Sequence, residues 1–167
     1  RDGWSVWTIT PDGRELTRRS ADDAGDARYP SFSPDSGTLL YSTDLDGGYA
    51  AVSLDLESGV RQTLLDARSV GYAPPTESYF QKAGNVIAPV LSPDCRSLAY
   101  IVDGARDTLF ARPVEGGTAR ALYSSEMLGA PAWAVDGSGL YVVGLTAEEG
   151  HVAFAPLSGM EPSVVVQ

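Results

Sequence analysis

Three stretches of this chain repeat one pattern, and that repetition limits the possible folds more than any other feature. The first reads Tyr29-Pro30-Ser31-Phe32-Ser33-Pro34-Asp35, the second Ala88-Pro89-Val90-Leu91-Ser92-Pro93-Asp94, and the third Ala130-Pro131-Ala132-Trp133-Ala134-Val135-Asp136. Each runs Pro, any residue, a large apolar residue, a small residue, Pro or Val, then Asp. Each leads into a Leu- and Tyr-containing run: Thr38-Leu39-Leu40-Tyr41, Ser97-Leu98-Ala99-Tyr100 and Gly139-Leu140-Tyr141. A polar turn, a third run and a Gly-containing turn follow, as at Leu56-Glu57-Ser58-Gly59 and Val114-Glu115-Gly116-Gly117. A fourth run then closes the unit (Val60 to Leu65, Ala119 to Tyr123, Ser163 to Val166). Four strands in roughly 40 residues, recurring, is the pattern of a propeller blade, a sheet that buries its faces only by stacking on a neighbour.

Local signals agree. No long stretch places apolar residues at the i, i+3, i+4 and i+7 spacing of a helix, and short β-branched or aromatic runs bounded by Gly, Asp, Ser and Pro recur instead. The sequence predicts an all-β chain, a partial β-propeller of four-stranded antiparallel blades, about three and a half of them. Blades are expected over 28–66, 85–124 and 130–167. Residues 1–27 hold two runs, Trp4 to Thr10 and Glu15 to Arg19, joined by Pro11-Asp12-Gly13, which read as the third and fourth strands of a half blade. Propeller rings close with about 4 to 8 blades, so three and a half leave open edges and an uncovered face. The expectation is a segment of a longer polypeptide, with the rest of that polypeptide as its closing partner. A second copy closing the ring is the alternative.

Ser33-Pro34-Asp35 and Ser92-Pro93-Asp94, each preceded by Pro and an apolar residue, resemble TolB-like propeller repeats. Such repeats also occur in the propellers of prolyl oligopeptidase-class and tricorn-type proteases. The third copy departs, with Ala134-Val135-Asp136 in that place. The resemblance implies a fold and, more loosely, a periplasmic or extracellular setting. It does not choose an activity, because propellers serve as binding, gating and catalytic partners alike. Within a blade each residue has a physical reason. Pro at the start of the first strand spares a ladder N–H, Pro-Asp suits a β-turn, and Phe32, Leu91 and Trp133 would plug the space between sheets. Asp35 and Asp94 read as turn formers rather than as paired acid/base carboxylates.

The chemistry of catalysis is sparse. His151 is the only histidine and Cys95 the only cysteine, which removes multi-His and multi-Cys metal sites and any internal disulfide. No G-x-S-x-G elbow or Gly-rich phosphate loop occurs, so the chain reads as non-enzymatic. Flanked by Asp94 and Arg96, Cys95 reads as a bystander thiol. With 22 acidic against 12 basic side chains the formal net charge is −10, which disfavours nucleic acid and anionic membrane as partners. No run approaches 18 apolar residues, so no membrane-spanning helix is expected.

The strongest non-structural signal is where the acid falls. In a propeller, the turns between second and third strands share one rim with the connections between blades. That rim would receive Asp22, Asp23, Asp26, Asp44, Asp46, Asp103, Asp107, Glu148 and Glu149. The 67–84 insertion, long for a compact domain, adds Glu77 with Tyr72, Tyr79 and Phe80. Of these, Asp44, Asp46, Asp103, Asp107, Glu148, Glu149 and the four insertion residues form the candidate binding set, together with His151, which starts the third strand of the last blade and reads as an exposed strand-edge histidine. An acidic rim favours a protein or peptide partner, a basic one above all. Asp44-Leu45-Asp46 has the carboxylate spacing that opens many calcium loops, but the rest of such a loop is missing, so no cofactor is expected and calcium is a minor alternative. The functional expectation is a non-catalytic scaffold binding protein, peptide or ligand. The alternatives are the substrate-access propeller of a prolyl oligopeptidase-type peptidase and the extracytoplasmic sensor region of a membrane-anchored regulator.

Overall fold

The computed structural model describes residues 3–20, 25–45, 48–66, 68–70 and 85–166. Apart from a 3-10 turn at Arg68–Val70, the regular structure there is all strand. β1 (Trp7–Ile9) and β2 (Leu16–Arg18) form a hairpin, hereafter the first blade. β3 (Ala27–Phe32), β4 (Thr38–Leu45), β5 (Gly48–Asp55) and β6 (Arg61–Leu65) pair in chain order as the second. β7 (Val86–Leu91), β8 (Ser97–Val102), β9 (Asp107–Pro113) and β10 (Arg120–Ser125) repeat that order as the third. In the fourth, β11 (Met127–Leu128) and β12 (Ala132–Trp133) both pair with β13 (Gly139–Leu145), followed by β14 (Gly150–Pro156) and β15 (Ser163–Val166). All pairings are antiparallel. The sheets stack face to face with a core between each pair. Val6, Leu39, Tyr41 and Val52 fill the first interface, Leu40, Leu65, Leu98 and Tyr100 the second, and Ile101, Leu109, Leu140 and Val142 the third.

This stacking explains the strand patterns. Successive side chains point to opposite faces, so Leu39 and Tyr41 face the first blade while Leu40 faces the third. A strand buried on both faces reads as a continuous apolar run, as Leu39 to Tyr41 does. In β13 only one face is covered: Leu140 and Val142 are buried, while Tyr141, Val143 and Leu145 are about 40% exposed or more. The opposite end of the stack is also open, with Trp7, Ile9 and Leu16 exposed on the hairpin.

Two packing expectations are corrected. Leu91 and Trp133 pack between sheets, and the Trp133 indole N–H donates to the Val90 carbonyl at 3.3 Å. Phe32, however, is 54% exposed. It pairs with Leu39 and so faces the first blade, whose two strands cover less of the sheet than a four-stranded neighbour would. The prolines also lie inside the first strands rather than at their start. Pairing is interrupted between Arg28 and Ser31 and between Ile87 and Val90, with Tyr29 (φ 55°) and Ala88 (φ 51°) in the left-handed region. Pro30 and Pro89 occupy these bulges, where no ladder N–H is required of them. Pro131 falls in the gap between β11 and β12.

The Ser-Pro-Asp segments form one turn repeatedly. Ser36 N–H donates to Ser33 O (2.8 Å), Asp35 Oδ1 accepts from Ser33 Oγ (2.5 Å) and Gly37 N (3.0 Å), and Thr38 N–H donates to Ser33 Oγ (2.9 Å). Ser92, Asp94, Cys95, Arg96 and Ser97 repeat the set. So does Thr10-Pro11-Asp12-Gly13 in the first blade. In the fourth, Ala134 supplies no hydroxyl, yet Gly137 N–H still reaches Ala134 O (2.9 Å) and Asp136 Oδ1 accepts from Ser138 N (3.0 Å). Asp35 and Asp94 are thus turn aspartates. Hydroxyls of Ser33 and Ser92, then the Gly37 and Arg96 amides, hold their carboxyls below the usual range.

Candidate binding rim

The rim that carries the turns between second and third strands also carries the links between blades. Just before β3, Asp26 Oδ1 accepts from Trp4 N (2.6 Å), and its Oδ2 accepts from the Tyr49 hydroxyl and from Arg28 Nε (2.7 Å). Burial opposes ionisation of Asp26, but these donors outweigh it and lower its pKa. Burial and the same bond raise that of Tyr49. Arg28 also lies over the Trp4 ring, 5.5 Å from its centroid. Just before β7, the buried Asn85 accepts from Tyr49 N (2.9 Å) through Oδ1 and donates from Nδ2 to Asp103 Oδ2 (3.0 Å). Its backbone N–H donates to Asp103 Oδ1 (2.8 Å). At the third junction the polarity reverses, with Asp107 Oδ2 accepting from Leu128 N (2.8 Å). Each junction thus satisfies an amide of one blade with a side chain of the next or preceding one.

This arrangement divides the candidate residues. Asp107, expected on the exposed rim, is buried at 8% exposure, because its carboxylate caps the Leu128 amide. Asp103 is half-buried and committed to Asn85. Asp44 is half-buried at the end of β4, opposite Tyr49. Glu148 and Glu149 are exposed in the turn between β13 and β14, where their amides donate to Thr146 Oγ1. Asp22, Asp23, Asp46, Tyr72, Glu77, Tyr79 and Phe80 lie outside the described residues.

His151 is not a free strand-edge side chain. Its Nε2 is 2.5 Å from the Tyr123 hydroxyl across the junction of third and fourth blades, the rings meeting edge-on at 87°. Its Nδ1 is buried with no partner among the described residues. The ring fits because residue 144 is glycine: a Cβ there would lie 2.7 Å from Nε2. Among the described residues, no three His, Cys, Asp or Glu side chains gather as a metal site, and no helix is long and apolar enough to cross a membrane.

Sequence reasoning missed Asn85. Its signal was positional: Asp26 and Asn85 each stand four residues before the repeat proline, Pro30 or Pro89. Met127 holds that position in the fourth blade, and there Asp107 supplies the acceptor instead.

The geometry matches known propellers. TolB from Acinetobacter baumannii superposes with a TM-score of 0.73 at 13% identity, over 96% of this chain and 37% of that one. A putative TolB from Agrobacterium tumefaciens gives 0.72 at 16% identity, over 96% and 55%. The β-propeller domain of the Trilobed protease from Pyrococcus furiosus gives 0.56 at 14%, over 83% and 42%. The chain therefore spans 37% to 55% of the length of these three. No family model matches the chain, and no curated protein does. These likenesses show the fold: TolB-like β-propeller blades.

Proposed function

We propose that this chain is a non-catalytic scaffold that binds a protein or peptide, preferably a basic one, on the rim bearing Glu148, Glu149 and the 67–84 insertion. The observation that carries this reading is the set of side-chain links at Asp26, Asn85 and Asp107, which brace the blades at the rim where the exposed acidic turn lies. A rigid frame with acidic loops loses little entropy on binding, and its charge steers a basic partner. A rim role also suits the engagement of the only histidine with Tyr123 and the exposure of Cys95 in its turn. The two uncovered apolar faces, at Ile9 and Val143, would be closed by further blades of a longer polypeptide or by a second copy. By analogy with TolB, a periplasmic or extracellular site is the natural setting. The likeness to the Trilobed protease propeller favours a second reading, in which the blades control access to a peptidase domain. Titrating basic peptides against the intact chain and against one with 71–84 replaced by a short Gly-Ser bridge tests the first reading. Unchanged affinity would remove it.

A further inference from the structure

Between the second and third blades, away from the Glu148–Glu149 turn, lies a cavity of about 310 Å³. Its walls include Leu65 and Val70 on one side and Val102 and Phe110 on the other, with Tyr100 and Arg112 among them. The strand register builds this wall. Tyr100 pairs with Phe110 and Leu98 with Arg112, so Tyr100, Phe110 and Arg112 all face the second blade. The Tyr100 and Phe110 rings stack with centroids 5.8 Å apart.

Two polar groups on these walls, Arg112 and Tyr100, have few or no partners. Arg112 uses only Nε, in a long 3.4 Å bond to Pro113 O, and its Nη2 lies by the Gly116 turn. Among the described residues no carboxylate lies within ion-pair distance of it, although the chain carries a formal charge of −10. Tyr100 is 1% exposed and lines the cavity, and no hydrogen bond joins its hydroxyl to another of the described residues. A half-buried guanidinium without an ion-pair partner, beside a tyrosine hydroxyl on the same cavity wall, suits the carboxylate of a ligand.

We propose that this cavity binds a small monocarboxylate with an apolar body, about the size of 3-phenylpropanoate. The guanidinium fork presents two parallel N–H donors to a carboxylate. The Tyr100 hydroxyl donates to one of its oxygens, and the hydrocarbon body packs against Phe110, Leu65, Val70 and Val102. The volume sits at the small end of the range for organic ligands, roughly 300–1,000 Å³. A phosphate or sulfate dianion is a poorer fit, because one cation would face two charges and the apolar side chains of Leu65, Val70, Val102 and Phe110 would have no hydrocarbon to pack on. Val70 belongs to the 67–84 insertion, so the cavity borders the proposed rim, but a small acid rather than a basic peptide tests it and the two readings can fail separately.

Calorimetric titration of the full chain with 3-phenylpropanoate and its uncharged isostere 3-phenylpropanamide tests the assignment. The acid is expected to bind at least about tenfold more tightly than the amide, a difference of about 1.4 kcal/mol. Arg112→Gln should abolish that preference, Arg112→Lys should restore part of it, and Tyr100→Phe should weaken the acid about threefold or more. Equal binding of acid and amide overturns the proposal. So does a preference that survives Arg112→Gln, or no detectable binding of the acid at millimolar concentration. The acid-against-amide comparison needs no variant, so it stands even if a substituted chain folds poorly.

Discussion

Asn85 tests the idea that buried side-chain bonds tie the blades together. Truncation by Asn85→Ala removes the acceptor of the Tyr49 amide and the donor to Asp103 Oδ2. Tyr49 is only 9% exposed, so its N–H loses this acceptor in a buried position, at a cost of about 1–3 kcal/mol. The half-exposed Asp103 recovers water and adds less than about 1 kcal/mol. The total is about 1–4 kcal/mol, and at about 2–4 °C per kcal/mol for a chain of this size the melting temperature should fall by at least about 2 °C and by up to about 16 °C. Thermal unfolding followed by circular dichroism, with the exposed Gln62→Ala as control, measures this. The control should stay within about 0.5 kcal/mol of the parent. Asn85→Ala and Asp103→Ala should also be non-additive, since the two side chains share bonds. An Asn85→Ala chain that melts with the control, or additive effects in the double variant, would refute the reasoning.

The remaining expectations are shorter. The carboxyls of Asp12, Asp35, Asp94 and Asp136 are held low chiefly by the hydroxyls of Thr10, Ser33, Ser92 and Ser138. Their stabilisation is therefore complete above about pH 4, the range of an unfolded Asp, and is lost as pH falls through the lower folded-state values. Melting temperature against pH should drop over that acid window, and a flat or rising profile would contradict it. Gly144→Ala would press a methyl onto His151 Nε2, break its bond to Tyr123, and cost about 1–3 kcal/mol in thermal unfolding. A neutral effect would show that the pair does not pack as described. The uncovered faces at Ile9 and Val143 should make the isolated chain associate with rising concentration in sedimentation velocity, and Ile9→Lys with Val143→Lys should return it to monomer. A parent chain that stays monomeric would argue that both faces are tolerated in water.

The repeat in the sequence was enough to read the blades, because the turn chemistry that produces it is local. Ser33 and Asp35 close a turn within six residues, and a hydroxyl residue with an aspartate two positions on closes it again at 92–97 and 10–15. The departure at Ala134-Val135 was harmless for the same reason: Gly137 supplies the left-handed residue and Asp136 the acceptor, without the hydroxyl. What the residues could not reveal is tertiary. Asp107 and Glu148 look alike as acidic residues at strand-flanking turns, but only Asp107 meets an amide of the next blade and becomes buried. Phe32 fits the plug position as well as Leu91 does, yet its exposure depends on how many strands stand opposite. His151 read as exposed because its partner, Tyr123, is 28 residues away in another sheet.

The most direct test of the central claim is selection from a random peptide library on the immobilised chain, followed by titration of the enriched peptides. Binding would be measured to the parent, to the chain with 71–84 replaced by the Gly-Ser bridge, and to Glu148→Gln with Glu149→Gln. The account predicts enrichment of Lys and Arg and at least about tenfold weaker binding, about 1.4 kcal/mol, when the insertion is removed. It predicts a smaller loss, steeper at low salt, for the paired glutamine variant. Peptides that show no basic enrichment and bind all three chains equally would contradict a binding role for this rim.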